Sequence, residues 1–116
     1  MENSNKILYS VSGNIAILTI NRPERRNALD AETLEQINIL LDRAESDEKV
    51  RVILITGQGD TFSSGFDLKD QLEKAPTGKQ WKPILELDHK TIMRFWNSPK
   101  PTIAAVRGAC LAGAFE

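Results

Sequence analysis

Two stretches carry the residues whose types and spacing could do chemistry. The first is Phe62-Ser63-Ser64-Gly65-Phe66-Asp67-Leu68-Lys69. Gly65 permits a tight turn just ahead of a helix start, which leaves the Phe66 amide free to point at a ligand. Asp67 is placed to cap that helix, and taken alone the stretch reads most simply as a glycine turn with an N-cap. The second stretch is Lys100 to Glu116, KPTIAAVRGACLAGAFE. A strand there runs into a bend of small residues, and a helix is expected to begin near Gly113. First-turn amides have no partner inside a helix, and the helix dipole adds positive potential at that end. An amide at Gly113 therefore suits a developing oxyanion, with Glu116 one turn further on as an acid or base. Alone, this stretch also reads as small residues that let a strand and a helix pack closely.

The elements that must position these stretches follow from periodicity. Ile7–Val11 and Asn14–Ile20 read as strands joined around Ser12-Gly13. Apolar residues fall on both faces of the second, as in a strand covered on each side. Pro23 stops it, and the polar break 22–27 follows. Asp30 is the expected N-cap of a helix that carries Leu34, Ile37, Leu41 and Ala44 on one face. Val50–Thr56 is a short β-branched run ending at Gly57, which fits a buried strand. A short helix is expected from about Asp67, fading before the linker candidate Ala75-Pro76-Thr77-Gly78. A longer helix follows from about Pro83 to Trp96, with Leu85, Ile92, Phe95 and Trp96 on one side. Thr102–Val106 is a final strand, followed by Gly108. The order β-β-α-β-α-α-β is an α/β pattern with a helical crossover between parallel strands. Ligands gather at the carboxyl ends of such strands, where both glycine-bearing stretches, 57–65 and 108–113, lie.

Composition bounds the rest. A chain of 116 residues forms one small domain at most, and it buries roughly two-thirds of its unfolded surface. A net charge of −1 gives no electrostatic reason to expect nucleic-acid or anionic-membrane binding. The single cysteine, Cys110, cannot form an intrachain disulfide and fits a reducing compartment. The polar start lacks the apolar core of a signal peptide. The apolar stretch Ile103–Phe115 is broken by Arg107 and is too short to span a bilayer. A soluble, cytoplasmic domain is expected.

In register, the stretches resemble the crotonase (enoyl-CoA hydratase/isomerase) family. There, Ser-Ala-Gly-Ala-Asp-Leu-Lys-like and Lys-Pro-x-Ile-Ala-Ala-Val-x-Gly-x-x-x-Gly-Gly-Gly-x-Glu-like segments occur in this order and at this separation. Ile20-Asn21-Arg22-Pro23-Glu24-Arg25-Arg26-Asn27-Ala28-Leu29 is similar to the family's N-terminal signature. The resemblance implies an incomplete ββα-spiral core of mostly parallel strands. Residues 1–116 would then form the N-terminal part of the domain, with the C-terminal part absent. It implies an acyl-CoA substrate whose thioester oxygen is held by the backbone amides of Phe66 and Gly113, with Glu116 as the first catalytic carboxylate. Such a role requires the Glu116 pKa to rise through burial. Arg26 and the backbone near Ala28 match a region that runs beside the nucleotide and pyrophosphate. Phe66, Asp67, Leu68 and Lys69 match the stretch along the pantetheine and adenine end. Coenzyme A arrives as part of the substrate, so no separate cofactor and no metal is called for. The full-length form is implied to be a trimer or a dimer of trimers.

Ala112 and Ala114 depart from the pattern, standing where glycines are common and adding methyl groups around the second amide. The resemblance leaves hydratase and isomerase chemistry open. It also implies a fragment that is weakly folded, with reduced or no activity alone. A rival reading is a non-catalytic truncated subunit that associates with full-length crotonase-type proteins. A nucleotide-binding α/β domain is disfavoured, because no G-x-G-x-x-G or G-x-x-x-x-G-K-[ST] motif is present. Outside these stretches, His89 is expected to pack structurally and Cys110 to be buried and inert. Trp81, Phe95 and Trp96 are expected to be packing groups. Arg22 and Arg25 are expected to be solvated turn residues, and Asp88 and Glu86 to lie on a solvated face.

Overall fold

A computed structural model describes residues 5–75 and 77–116. The first four residues and Pro76 of the linker candidate lie outside the described residues. Strand β1 (Ile7–Ser12) turns at Gly13, whose φ of +60° favours glycine, into the antiparallel strand β2 (Ile15–Ile20). Helix α1 (Ala31–Ser46) carries the chain to β3 (Val52–Gly57), parallel to β2. Helices α2 (Leu68–Lys74) and α3 (Trp81–Trp96) then lead to β4 (Thr102–Ala105), parallel to β3. The strand order is β1-β2-β3-β4, so this α/β sheet is mostly parallel, and both crossovers run through helices. Element order and type agree with the periodicity, with ends displaced by one or two residues. Single 3-10 turns occupy Pro23–Arg25, Gly78–Gln80 and Ala112–Ala114.

The core forms where one face of the sheet meets α1. Ala16, Leu18, Ile20 and Ile53 from the sheet pack with Leu34, Ile37, Leu41 and Ala44 from the helix. The four helical residues are those that the 3.6-residue period selects. Strand β2 is covered on one face only among the described residues, with Ile15 39% exposed at its start. The two-sided covering expected of it is therefore not met, because the helical packing falls on the Ala16–Leu18–Ile20 side.

Helix α3 begins at Trp81, two residues before the expected start, since a proline in a first turn removes no intrahelical hydrogen bond. Its inward side also differs from the apolar stripe. Leu85 and Trp96 are exposed, whereas Asp88 and Thr91 are buried. Leu87 and Phe95 pack against the core, and beside them the inward face is polar and paired: Asn38 Nδ2 of α1 donates to Thr91 Oγ1 at 2.8 Å, and the Arg94 guanidinium donates to Asn38 O at 2.9 Å. Apolar periodicity cannot detect a face whose burial depends on matched polar groups. His89, expected to pack, is turned outward by the same rotation.

Asp30 caps α1, with its carboxylate accepting from the Thr33 amide at 2.8 Å. Lys6 Nζ lies 2.6 Å and Arg22 Nη2 3.5 Å from the same carboxylate. Burial pushes the Asp30 pKa up, but the hydrogen bonds from Lys6 and Thr33 and the Arg22 charge outweigh it, lowering it from 3.8 to about 2. A depressed carboxylate stabilises the fold above its unfolded pKa and loses that contribution as pH falls through the folded value. Stability should therefore fall by about 2 kcal/mol between pH 4 and pH 2 on this account. Denaturant titration against pH should show the slope in wild type and its reduction in Asp30→Asn, which keeps the cap.

Candidate active site

Three loop segments meet at the carboxyl ends of β2, β3 and β4, and short parallel pairings join them. Leu29 N donates to Gly65 O, and Asp67 N to Leu29 O, both at 2.8 Å. On the other side, Phe62 N donates to Ala109 O at 3.0 Å and Leu111 N to Ser63 O at 3.1 Å. Residues 27–29, 62–67 and 109–111 thus form a small ribbon beyond the main sheet, pinned at Leu29–Phe66 and Ser63–Cys110. Both glycine-bearing stretches take part, as the strand order implied.

The ribbon is welded by buried polar side chains that apolar patterning passes over. Asn27 is completely buried, with a left-handed φ of 57° that asparagine tolerates better than most residues. Its Nδ2 donates to Thr61 O at 2.7 Å and Gln58 O at 3.0 Å, while its Oδ1 accepts from Arg22 N at 2.8 Å. The Ser63 hydroxyl, also completely buried, donates to Asn27 O at 2.7 Å and accepts from Gly65 N at 3.0 Å. Arg22 is buried and bridges Asp30 and Asp67, the latter at 3.3 Å, correcting the expectation of a solvated arginine. The signal available in sequence was the polar cluster itself, but solvated and buried arginines look alike there.

The amides of Phe66 and Gly113 are left over from this pairing. The parallel ribbon uses the groups on either side of Phe66, namely Gly65 O and Asp67 N, and leaves the Phe66 amide without an acceptor among the described residues. In the turn Ala112–Ala114, the Ala114 and Phe115 amides donate to Leu111 O and Ala112 O. The Gly113 amide precedes them and has no acceptor among the described residues. The expected helix at Gly113 is present only as this one turn.

The two segments touch closely. A methyl group on Gly65, whose φ is +97°, would lie 2.8 Å from Leu111 O and 3.3 Å from Gly113 N. A methyl group on Gly113 would sit 2.5 to 2.8 Å from atoms of the Phe66 ring. The Phe66 side chain therefore walls the site directly over Gly113. Ala112 adopts a left-handed φ of 49°, a conformation that glycine would take without the steric penalty.

The other expected site residues are placed as follows. Glu116 is exposed, so the burial expected of it is not supplied among the described residues. The Asp67 carboxylate caps α2 through Asp70 N at 3.1 Å and pairs with Arg22, and Arg25 approaches it at 3.8 Å. Asp67 thus holds the site together and has no free side-chain group for a ligand. Leu68 and Lys69 are exposed at the start of α2. The Arg26 side chain is exposed, while the Ala28 carbonyl accepts from the Arg22 guanidinium. Asp88, expected on a solvated face, is only 6% exposed and accepts from Gln71 Nε2 of α2 at 2.9 Å. Burial pushes its pKa up, the Gln71 hydrogen bond opposes this, and the Glu116 charge raises it further.

Comparison with known proteins agrees with this architecture. The enoyl-CoA hydratase/isomerase family model matches residues 10–116. The chain is 56% identical to an enoyl-CoA hydratase/isomerase from Xanthobacter autotrophicus Py2 of known structure, with a TM-score of 0.91 over 94% of this chain and 41% of that one. It is 37% identical to a probable enoyl-CoA hydratase of Bacillus subtilis over 97% of this chain and 43% of that protein. It is 32% identical to the short-chain-enoyl-CoA hydratase of Clostridium acetobutylicum over 97% and 42%. The chain belongs to the enoyl-CoA hydratase/isomerase family. It spans about two-fifths of the length of these relatives.

Replacing Asn27 by alanine removes two donors and one acceptor from a buried site and leaves their partners unpaired. The expected loss is about 3 kcal/mol, as each buried orphan costs about 1–3 kcal/mol and neighbouring losses do not simply add. Urea unfolding should show this, and Asn27→Asp should be at least as damaging because it sets a carboxylate against two carbonyl oxygens.

Proposed function

We propose that this chain carries the oxyanion-stabilising part of an acyl-CoA hydratase/isomerase site, with Phe66 N and Gly113 N as donors and Glu116 as an acid or base. The observation that carries the reading is the pair of unpartnered amides on touching segments, held by a buried polar network. Forming or consuming an enolate next to a thioester places negative charge on its oxygen. Preorganised amides stabilise that charge by about 3 kcal/mol each and need no reorganisation as the charge develops. Because both donors are backbone groups, the Phe66 ring is free to shape the acyl pocket. The exposed Arg26 guanidinium is proposed to approach the phosphates of coenzyme A, with Leu68 and Lys69 flanking the pantetheine and adenine end. Gln, rather than Glu, at position 116 would keep the shape and remove the proton-transfer group.

The names of the matched relatives favour enoyl-CoA thioesters as the substrate class. Residues 1–116 by themselves are proposed to have little turnover, and a cytoplasmic trimer or dimer of trimers is the proposed form of the complete protein. The association reading draws on a specific feature: Ile103 and Val106 at β4, and Leu111 and Phe115 beyond it, are 50 to 81% exposed. In that reading, the same surface takes up a full-length relative.

The test uses crotonyl-CoA with the complete protein that carries these residues. Wild type should hydrate or isomerise short enoyl-CoA substrates. Glu116→Gln should lower kcat by about 100-fold or more while calorimetry shows acyl-CoA still bound. No acyl-CoA binding by wild type would refute the reading.

A further inference from the structure

The two amides proposed to hold the thioester oxygen lie on different segments, and one buried residue is bonded to both sides of the ribbon between them. Ser63 is completely buried. Its backbone pairs with the segment that leads to Gly113, where Ser63 N donates to Ala109 O at 3.2 Å and Ser63 O accepts from Leu111 N at 3.1 Å. Its hydroxyl reaches the other way, donating to Asn27 O at 2.7 Å and accepting from Gly65 N at 3.0 Å. Among the described residues, the Gly65 amide has no other acceptor.

Gly65 is where such a hold matters. With a φ of +97° and no side chain, it is the freest backbone position ahead of the Phe66 amide. The peptide before it is held through its N–H by Ser63 Oγ, and the peptide after it through its carbonyl by Leu29 N at 2.8 Å. The N–H and C=O of a trans peptide point in opposite directions, so the second bond aims the Phe66 N–H away from residues 27–29. That bond alone leaves the chain free to turn about the Gly65 α carbon, and the Ser63 hydroxyl removes this freedom. Gly113 N is close by, since a methyl group on Gly65 would lie 3.3 Å from it.

We propose that Ser63 is a positioning residue whose hydroxyl sets the direction of the Phe66 amide relative to the Gly113 amide. The proposal rests on the acyl-CoA reading above and adds to it a residue that touches no substrate. Ser63 acts through Gly65 and Phe66, and its backbone pairing with Ala109 and Leu111 keeps the two donor segments in register. Hydrogen bonds weaken steeply as donors turn off line, and an oxyanion donor is effective only where it is aimed before charge develops. Without the hydroxyl, Gly65 N and Asn27 O lose their partner, and the backbone at Gly65 turns to find others.

The experiment uses the complete protein with crotonyl-CoA, reading kcat, KM and the infrared stretch of the bound thioester carbonyl labelled with carbon-13. Ser63→Ala should lower kcat by about 30-fold, leave KM within about threefold, and lose part of the downward shift of the carbonyl stretch. Ser63→Cys keeps a weak donor and acceptor and should recover part of both effects. Asn38→Ala is the comparison for stability alone. It breaks the buried bonds to Leu34 O and Thr91 Oγ1 at the α1–α3 contact, and it should leave the carbonyl stretch unmoved. A Ser63→Ala kcat within twofold of wild type, or an equal change of stretch in Asn38→Ala, would overturn the proposal. Where Ser63→Ala does not fold, a Ser63→Cys protein matching wild type in both readouts would overturn it. Wild type whose bound carbonyl stretch equals the free value would mark failure of the acyl-CoA reading. A shifted wild-type stretch that Ser63→Ala leaves unmoved would mark failure of the Ser63 assignment alone.

Discussion

The requirement that buried backbone groups find partners acts most strongly where three loops are packed together around buried side chains. Asn27 and Ser63 meet it at the carboxyl edge of the sheet. Between them they engage the backbone of Arg22, Gln58, Thr61 and Gly65, and Ser63 binds Asn27's own carbonyl. Irregular backbone cannot satisfy itself as a helix or a sheet ladder does, so the side chains complete the pairing. Arg22 extends the network outward to Asp30 and Asp67, the N-caps of α1 and α2. One set of polar contacts therefore fixes the loops and the starts of two helices.

The amides of the proposed oxyanion site are what this network leaves unpaired. Once Gly65 O and Asp67 N are committed to Leu29, the Phe66 amide must face away from residues 27–29. Once residues 62–63 and 109–111 are paired, Gly113 is brought against the Phe66 ring and close to Gly65. Two donors without acceptors are unfavourable in a folded protein unless a ligand or solvent reaches them. Their presence on one edge is what supports the proposed oxyanion site, and it follows from the pairing of neighbouring residues.

Much of the fold was legible because apolar period and turn chemistry agree. Leu34, Ile37, Leu41 and Ala44 marked the buried face of α1, Asp30 marked its cap, and Gly13 marked the hairpin. That the stretches holding Phe66 and Gly113 lie at one edge of the sheet was legible from strand order, and their pairing only from the family resemblance. The polar interior was not. Arg22, Asn27 and Asp88 are residue types usually found in water, and each is buried only because a partner far along the chain reaches it. Residues buried against Asn38 and Gln71 also set the rotation of α3. That turned His89, Leu85 and Trp96 outward, against an expectation built on apolar residues alone. Glu116 matched the family position, but its exposure depends on what surrounds it, which local sequence does not encode.

The central claim is that the Phe66 and Gly113 amides together polarise a thioester carbonyl. The most direct measurement is the infrared stretch of an acyl-CoA carrying a carbon-13 label at that carbonyl, free and bound. The account predicts a clear shift to lower frequency on binding, reduced when bulk at Gly113 forces the Phe66 ring aside. A bound thioester whose carbonyl stretch matches that in solution would contradict it.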